Sequence, residues 1–201
     1  MDAAVIDAMK KWPNVPAVSG YISLDQSGHW RHHPAGDANQ HPDQIGERIA
    51  HQGLLAFFNR NYQSDEQGRW FIQNGPQRVY IRLDAAPLIV SLAEDQAHLQ
   101  DHTGRPVETI QAWFISADGM LYLRTSAGPA LLAGRDMPAL LEQLRNPAQQ
   151  GLDSLDLEQP NHSTGWHLPA YPTPSSLTVW SSCVSPAEEL AYIVLPEPDP
   201  T

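Results

Sequence analysis

Cysteine is almost absent from this chain, since Cys183 is the only one among its 201 residues. A single cysteine excludes an intramolecular disulfide and is typical of proteins that stay in the reducing cytoplasm. Long apolar runs are absent as well, and none approaches the roughly 18 residues that a membrane-spanning helix needs. The first residues include Asp2 and Asp7, whereas a signal peptide begins with basic residues. We therefore expect a soluble cytoplasmic protein that does not associate with membranes.

Positive charge is also scarce in this sequence. Lysine and arginine together number 12 against 23 aspartates and glutamates, so the formal net charge is −11. Lys10 and Lys11 are the only lysines, and the other basic residues are arginines. A negative field repels the phosphates of nucleic acids and of anionic lipids. We expect neither nucleic acid nor a membrane among the partners.

Motifs for nucleophilic, nucleotide or cofactor chemistry are missing too. The chain has no Gly-x-Ser-x-Gly elbow, no phosphate-binding loop and no dinucleotide fingerprint. Cys183 lies in an apolar segment without a basic neighbour that would activate it, which indicates a structural cysteine. His29 and His33 share one face of a predicted strand, but a metal site needs a third and a fourth ligand. We expect no catalytic residue, no cofactor and no structural metal.

Turn sequences are the clearest signal that is present. The pattern Asp-x-x-Gly occurs at residues 25–28 and 65–68, and a shortened form occupies residues 117–119. The aspartate accepts hydrogen bonds from nearby backbone amides, and the glycine adopts the positive φ that other residues resist. Because alternating apolar residues flank each turn, the pattern predicts three β-hairpins.

Two helices are predicted, one after the first hairpin and one after the third. The first is expected at residues 42–59. The second begins at Asp136, a favoured N-cap, and Pro138 suits its first turn. Residues 20–59 and 109–145 therefore form two predicted copies of a hairpin–loop–helix unit. The predicted fold class is α+β, with antiparallel β-hairpins and two helices packed on one side of curved sheets.

The remaining segments complete the predicted organisation. We expect a further hairpin at residues 69–73 and 77–83, followed by a strand at 88–92. Beyond the second helix we expect a long loop at 146–174, a strand at 177–184, a helical turn after Ser185 and a buried strand at 190–195. The expected divisions are residues 1–86 (first hairpin–helix unit and second hairpin), 87–150 (second hairpin–helix unit) and 151–201 (linker and C-terminal strand segment). All three are expected to share one compact body.

Three motifs resemble a bacterial family of unknown function. They are Trp12-Pro13-Asn14-Val15-Pro16, Asn59-Arg60-Asn61-Tyr62 and the run from Gly68 to Tyr80, of which residues 73–80 are the most specific part. The resemblance covers residues 12–144. The hairpin pattern is also similar to a second uncharacterised family, whose members show a repeated α+β motif and for which a signalling role is suggested. Neither resemblance implies a catalytic residue.

A cluster of arginines and tyrosines is the strongest candidate for a ligand site. Arg78, Tyr80 and Arg82 are predicted to project from one face of a strand. Arginines two residues apart on a strand lie ~7 Å apart and can together address one carboxylate or phosphate group. The complete predicted ligand-binding set is Arg60, Tyr62, Arg78, Tyr80 and Arg82, with Asn59, Asn61 and Asn74 as orienting groups. The structural alternative is that an asparagine ends the helix while the arginines pair with surface acids.

Two functional hypotheses remain open at this point. The first is a non-enzymatic binding or regulatory module, with a possible signalling role, that recognises a small anionic ligand or a protein partner. The second is a hydrolase-like or metal-assisted enzyme without a recognisable motif. The missing motifs favour the first hypothesis, whereas a deep pocket that holds two or more acids or histidines within hydrogen-bonding reach would favour the second.

Overall fold

The computed structural model describes residues 2–12, 15–155 and 161–199. The chain forms two compact units, the first made of Met1–Pro87 with Ala191–Thr201 and the second of Leu88–Leu190. Each unit is built on one mixed β-sheet, and the described residues form four α-helices. The predicted α+β class is confirmed.

The first unit contains two helices and a six-stranded sheet. Its elements are α1 (Ala3–Lys11), β1 (Val18–Leu24), β2 (Trp30–His32), β3 (Glu47–Arg48), α2 (Gln52–Asn61), β4 (Tyr62–Ser64), β5 (Trp70–Asn74) and β6 (Gln77–Leu83). The strand order is β3-β2-β1-β6-β5-β4, in which β1 and β6 are parallel and the other neighbours antiparallel. Because α2 joins β3 at one edge to β4 at the other, this helix crosses a face of the sheet.

The second unit contains a seven-stranded sheet. Its elements are β7 (Leu88–Leu92), β8 (Leu99–Asp101), β9 (Ile110–Ile115), β10 (Leu121–Thr125), β11 (Gly128–Leu132), α3 (Met137–Leu141), β12 (Asn161–Leu168), β13 (Tyr171–Val179) and α4 (Pro186–Leu190). The strand order is β12-β13-β9-β10-β11-β7-β8. The pairs β11–β7 and β13–β9 are parallel, and the other neighbours are antiparallel.

All three predicted hairpins are present, as β1–β2, β4–β5 and β9–β10. In the first, Asp25 Oδ1 accepts the amides of Ser27 and His29, each at 2.9 Å, and Gly28 has a φ of 83°. The second repeats this geometry around Asp65. In the third, Ser116 takes the place of the turn aspartate, because its Oγ accepts the amide of Met120 at 3.0 Å.

The first predicted helix was placed too early in the chain. Helix α2 begins at Gln52, and the residues before it form a loop and the short strand β3. Within that loop Ile45 is 80% exposed. The ring of His51 caps the helix by accepting the amide of Leu54 at 3.2 Å. Within this segment the Gln44 carbonyl accepts a hydrogen bond from the distant Arg82 at 3.2 Å.

Three other segments fold as predicted, and one does not. The predictions of a hairpin at residues 69–73 and 77–83 (β5–β6), a strand at β7 and a helical turn after Ser185 are confirmed. The predicted loop at residues 146–174 is wrong, because β12 lies within it and β13 begins there. Strand β12 buries only Trp166 and Leu168 among mostly polar residues, so its pairing with β13 was not evident from composition.

The C-terminal strands also differ from the prediction. Strand β13 ends at Val179, which leaves Cys183 exposed rather than packed in a structural strand. Residues 190–195 do not form a strand. Their backbone makes isolated hydrogen bonds, from the Ile193 amide to the Gly68 carbonyl (3.0 Å) and from the Leu83 amide to the Val194 carbonyl (2.9 Å).

The two sheets share a topology that differs from the predicted repeat. In each, a hairpin is followed by a three-stranded antiparallel meander whose last strand lies parallel to the first hairpin strand. The corresponding orders are β2-β1-β6-β5-β4 and β8-β7-β11-β10-β9. The hairpin–loop–helix repeat is not shown, because hairpin β9–β10 continues directly into β11 rather than into a loop and helix.

Candidate functional site

An apolar groove of about 530 Å³ lies in the first unit, between α2 and the sheet that this helix crosses. The side chains that form it come from β1, β2, α2, β5 and β6. They are Val18, Tyr21, Ile22, His32, Leu54, Phe57, Phe58, Ile72, Asn74, Gln77 and Val79. We call this the apolar groove. Its volume and its mainly apolar lining are typical of small-molecule sites.

The groove exists because α2 is anchored mainly at its C-terminal end. There, Phe58 packs edge-on against Trp30 with ring centroids 5.6 Å apart, and the indole N–H of Trp30 donates to Asn59 Oδ1 at 3.0 Å. Near the N-terminal end, Leu54 is 39% exposed and Phe57 is only half-buried. The first turns of the helix therefore leave apolar surface open above the sheet.

Polar side chains border the apolar groove at two places. His32 lies on β2, while Asn74 and Gln77 flank the β5–β6 turn. Gln77 donates to the Pro16 carbonyl at 3.1 Å. Within the described chain, His32 and Asn74 make no side-chain hydrogen bond, so both retain their full hydrogen-bonding capacity for a ligand.

The residues that were predicted as a ligand site are distributed over several environments. Asn59 is bonded to Trp30, and the Tyr62 hydroxyl donates to the Pro87 carbonyl at 2.9 Å within the core. Arg60 makes two bonds to the carboxylate of Asp2, at 2.9 and 3.1 Å. Asn74 alone among the predicted set lines the apolar groove.

Asn61 and Arg82 are both buried and fully engaged in the fold. The Asn61 amide donates to the Phe57 carbonyl at 2.9 Å, and its oxygen accepts the Asp2 amide at 2.9 Å. Arg82 is 2% exposed. Its guanidinium pairs with Asp84 at 3.0 Å and donates to three loop carbonyls at 3.0 to 3.2 Å, those of Ala38, His41 and Gln44.

Arg78 and Tyr80 share a second, smaller groove of about 370 Å³, which we call the arginine groove. Its lining consists of Val15, Pro16, Ala17, Arg78, Tyr80, Pro198 and Asp199. The Arg78 guanidinium lies over the Phe71 ring, 4.6 Å from its centroid. Within the described residues the Arg78 side chain has no hydrogen bond and no ion pair. Arg60 is not among the residues that line this groove.

A third arginine, Arg69, stands at the edge of the arginine groove. It is 8% exposed and lies over the Tyr80 ring, 4.8 Å from its centroid. It binds the carboxylate of Asp199 through two bonds, at 2.8 and 3.1 Å, and that of Asp65 at 2.8 Å. These hydrogen bonds, the one to Asp199 foremost, raise the pKa of Arg69.

Sequence reasoning missed both Arg69 and the apolar wall of α2. The i, i+4 spacing of Asp65 and Arg69 was a usable signal for their pairing. No local pattern pointed to Asp199, because it lies 130 residues from Arg69. The exposure of Leu54 could not be predicted either, since it depends on where α2 is anchored.

The described residues contain neither a metal-binding cluster nor a membrane-spanning helix. No group of three or more histidine, cysteine, aspartate or glutamate side chains is arranged to hold a metal ion within residues 2–12, 15–155 and 161–199. Over the same ranges, the helices are all too short or too polar to cross a membrane.

The fold and these grooves define an α+β protein with two mixed sheets and an open apolar groove under one helix. The chain belongs to the DUF2944 family, described as "Protein of unknown function (DUF2946)", whose sequence model matches residues 1–176. The predicted resemblance to a family of unknown function is thus confirmed. No curated protein matches the chain.

Two solved structures are similar to this chain. One is a DUF1285 family protein from Silicibacter pomeroyi DSS-3, with 16% identity, a TM-score of 0.50 and coverage of 83% of each chain. The other is a DUF1285 family protein from Shewanella baltica OS155, with 12% identity, a TM-score of 0.41 and coverage of 64% of this chain and 92% of its own. At 16% identity, the similarity to the first supports the fold alone.

Proposed function

We propose that this protein is a non-enzymatic binding module whose first unit accepts a small ligand in the apolar groove. The ligand class is a molecule with a flat or chain-like apolar body and a hydrogen-bonding group at its end. The observation that carries the proposal is the groove of about 530 Å³ itself. It combines an apolar floor with the polar side chains of His32 and Asn74, which form no hydrogen bond to any other described residue.

The chemistry of the lining supports this ligand class. Phe57, Phe58 and Tyr21 offer aromatic surface, and Ile22 and Val79 contribute an aliphatic floor. Burial of an apolar body would gain roughly 25 cal/mol for each Å² removed from water. A few polar groups at the border then orient the ligand, as is usual for small-molecule sites.

The competing hydrolase hypothesis has one superficially suitable pair of residues. Ser23 Oγ lies 2.9 Å from His33 Nε2, a distance that suits nucleophile and base. Both side chains are buried, however, and Ser23 is 0% exposed. A substrate cannot reach a hydroxyl in that position, so we infer that the pair has a structural role. This favours the binding hypothesis over the hydrolase hypothesis.

The proposal also includes an internal repeat, a cellular location and a class of partner. The two sheets represent an internal repeat in the frame β1–β6 and β7–β11, which their matching strand orders support. The protein acts in the cytoplasm, which the single cysteine supports. Its partner is a small ligand or another protein rather than nucleic acid, in keeping with the net charge of −11.

The experiment uses N-phenyl-1-naphthylamine, a neutral aromatic probe whose fluorescence rises in apolar sites. We expect saturable binding at one site on the wild-type protein. Leu54→Lys should weaken binding at least tenfold, because the substitution places an ammonium at the wall of the groove. Ile6→Lys, at a 41% exposed position on α1, is the matched control and should bind like wild type. Absent binding, or equal binding by Leu54→Lys, would refute the proposal.

A further inference from the structure

The C-terminal segment of this chain lies across the first unit and places a carboxylate on an arginine. Asn39 donates to the Pro196 carbonyl at 2.9 Å, and Ser19 and Asn39 both bind the Glu197 carboxylate, at 2.6 and 2.8 Å. The segment then places the Asp199 carboxylate on Arg69 through two hydrogen bonds. The carboxylate of Asp199 thus occupies a guanidinium fork.

The two partners of this ion pair differ in how firmly they are held. The side chain of Arg69 is 10% exposed and is also bound by Asp65, whose side chain is 11% exposed. The side chain of Asp199 is 71% exposed. Because Asp199 is open to water while Arg69 is also held by Asp65, the carboxylate of Asp199 can exchange with a competing anion while Arg69 stays in place.

A second cation, Arg78, lines the same groove as this ion pair. This groove has a volume of about 370 Å³, and within the described chain Arg78 forms no ion pair. The pKa of the Asp199 carboxyl is lowered by the hydrogen bonds from Arg69 and also by the charge of Arg78. An anion in this groove therefore experiences both guanidinium groups.

We propose that the arginine groove is a binding site for a small molecule that carries a carboxylate or phosphate group, and that Asp199 occupies the site until the ligand displaces it. The ligand's anionic group takes the place of Asp199 on Arg69 and extends toward Arg78. Tyr80, whose hydroxyl donates to Asp65 at 3.3 Å, forms the aromatic wall. Guanidinium groups suit either anion, since both offer paired oxygens.

The test measures binding of phenyl phosphate and of benzoate by calorimetry at low ionic strength, where screening is weak. We expect one site on the wild-type protein. Asp199→Asn removes the internal competitor and should tighten binding at least fivefold. Arg78→Met keeps the aliphatic stem over Phe71 but removes the charge, and should weaken binding at least tenfold. Arg78→Lys, which keeps the charge but not the fork, should lie between Arg78→Met and wild type.

The controls separate this site from general electrostatics and from the apolar groove. Asp7→Asn removes the same charge from an exposed position on α1 and should bind like wild type. Leu54→Lys, which blocks the apolar groove, should bind both probes unchanged, so failure of one proposal does not imply failure of the other. The tighter of the two probes identifies the preferred anion. Absent binding in all variants, or equal affinities for wild type, Asp199→Asn and Arg78→Met, would overturn the proposal.

Discussion

Arg82 donates a hydrogen bond of 3.0 Å to the carbonyl of Ala38, which lies 44 residues earlier in the chain. The same guanidinium reaches the carbonyls of His41 and Gln44. One buried arginine thereby binds three carbonyls of the loop between β2 and β3. This loop includes the start of the segment that was expected to be helical, and within that segment the Gln44 carbonyl is bound to Arg82.

We predict that Arg82→Met destabilises the protein by on the order of 3 kcal/mol, because buried carbonyls and Asp84 lose their charged partner. Urea denaturation followed by tryptophan fluorescence measures the effect. Arg60→Met is the matched control, since it breaks the exposed pair with Asp2 and should leave the midpoint nearly unchanged. Equal effects of the two substitutions would contradict the assigned role of Arg82.

Gly68 and Gly119 provide a second test, because both end a hairpin turn with positive φ, at 76° and 80°. Alanine at either position should cost about 1–2 kcal/mol through backbone strain. At Gly68 the new Cβ would also lie 2.5 Å from the Ala191 carbonyl oxygen, whereas at Gly119 it meets nothing within 4 Å. We therefore predict that Gly68→Ala costs about 1–3 kcal/mol more than Gly119→Ala.

The comparison of these two alanine variants is made by urea denaturation of each. It tests the path of the C-terminal segment as well as the turn geometry. If both variants lost the same stability, the backbone of Ala191 would not lie against Gly68.

His33 predicts a pH dependence of stability. Burial, and next the charge of Arg82, lower the pKa of His33 below its ordinary value of 6.5. Between the folded and unfolded pKa values of His33 the unfolded chain binds more protons. The contribution of His33 to stability is therefore fully present above pH 6.5 and decreases as the pH falls toward the folded pKa. The slope contributed by one histidine is at most about 1.4 kcal/mol per pH unit.

The measurement compares unfolding free energies of wild type and His33→Gln between about pH 7.5 and pH 5, around the ordinary pKa of histidine. The variant should show a shallower decrease on acidification. His162→Gln, at an exposed position, should retain the wild-type slope. A wild-type slope in His33→Gln would show that this histidine does not titrate differently in the two states.

Local chemistry explains which elements could be predicted from sequence. The turns at Asp25 and Asp65 depend on an aspartate that binds amides two and four residues later and on a glycine with positive φ, so a short window contains all the participants. The same holds for Pro138 in the first turn of α3. In that helix, however, the Asp136 carboxylate accepts the distant Leu92 amide at 3.0 Å and makes no capping bond.

The candidate sites could be predicted from the sequence only in part. The alternation of β6 placed Arg78 and Tyr80 on one side of the strand, and both do line the arginine groove. The alternation of side chains along β6 could not distinguish Arg78 from Arg82. Arg78 faces an open groove, whereas Arg82 is buried beneath the β2–β3 loop. That distinction depends on which segment covers each end of the strand.

The sequence by itself determined the α+β class, the three hairpins and the excess of negative charge, because each follows from composition or from contacts within a few residues. Only the tertiary structure decided where α2 begins, that Arg78 lines an open groove and where Asp199 binds. Those outcomes rest on hydrogen bonds between residues such as Arg69 and Asp199, which lie 130 positions apart. No local propensity encodes such a pair, since its formation requires that both segments first be brought together by the packing of the sheet.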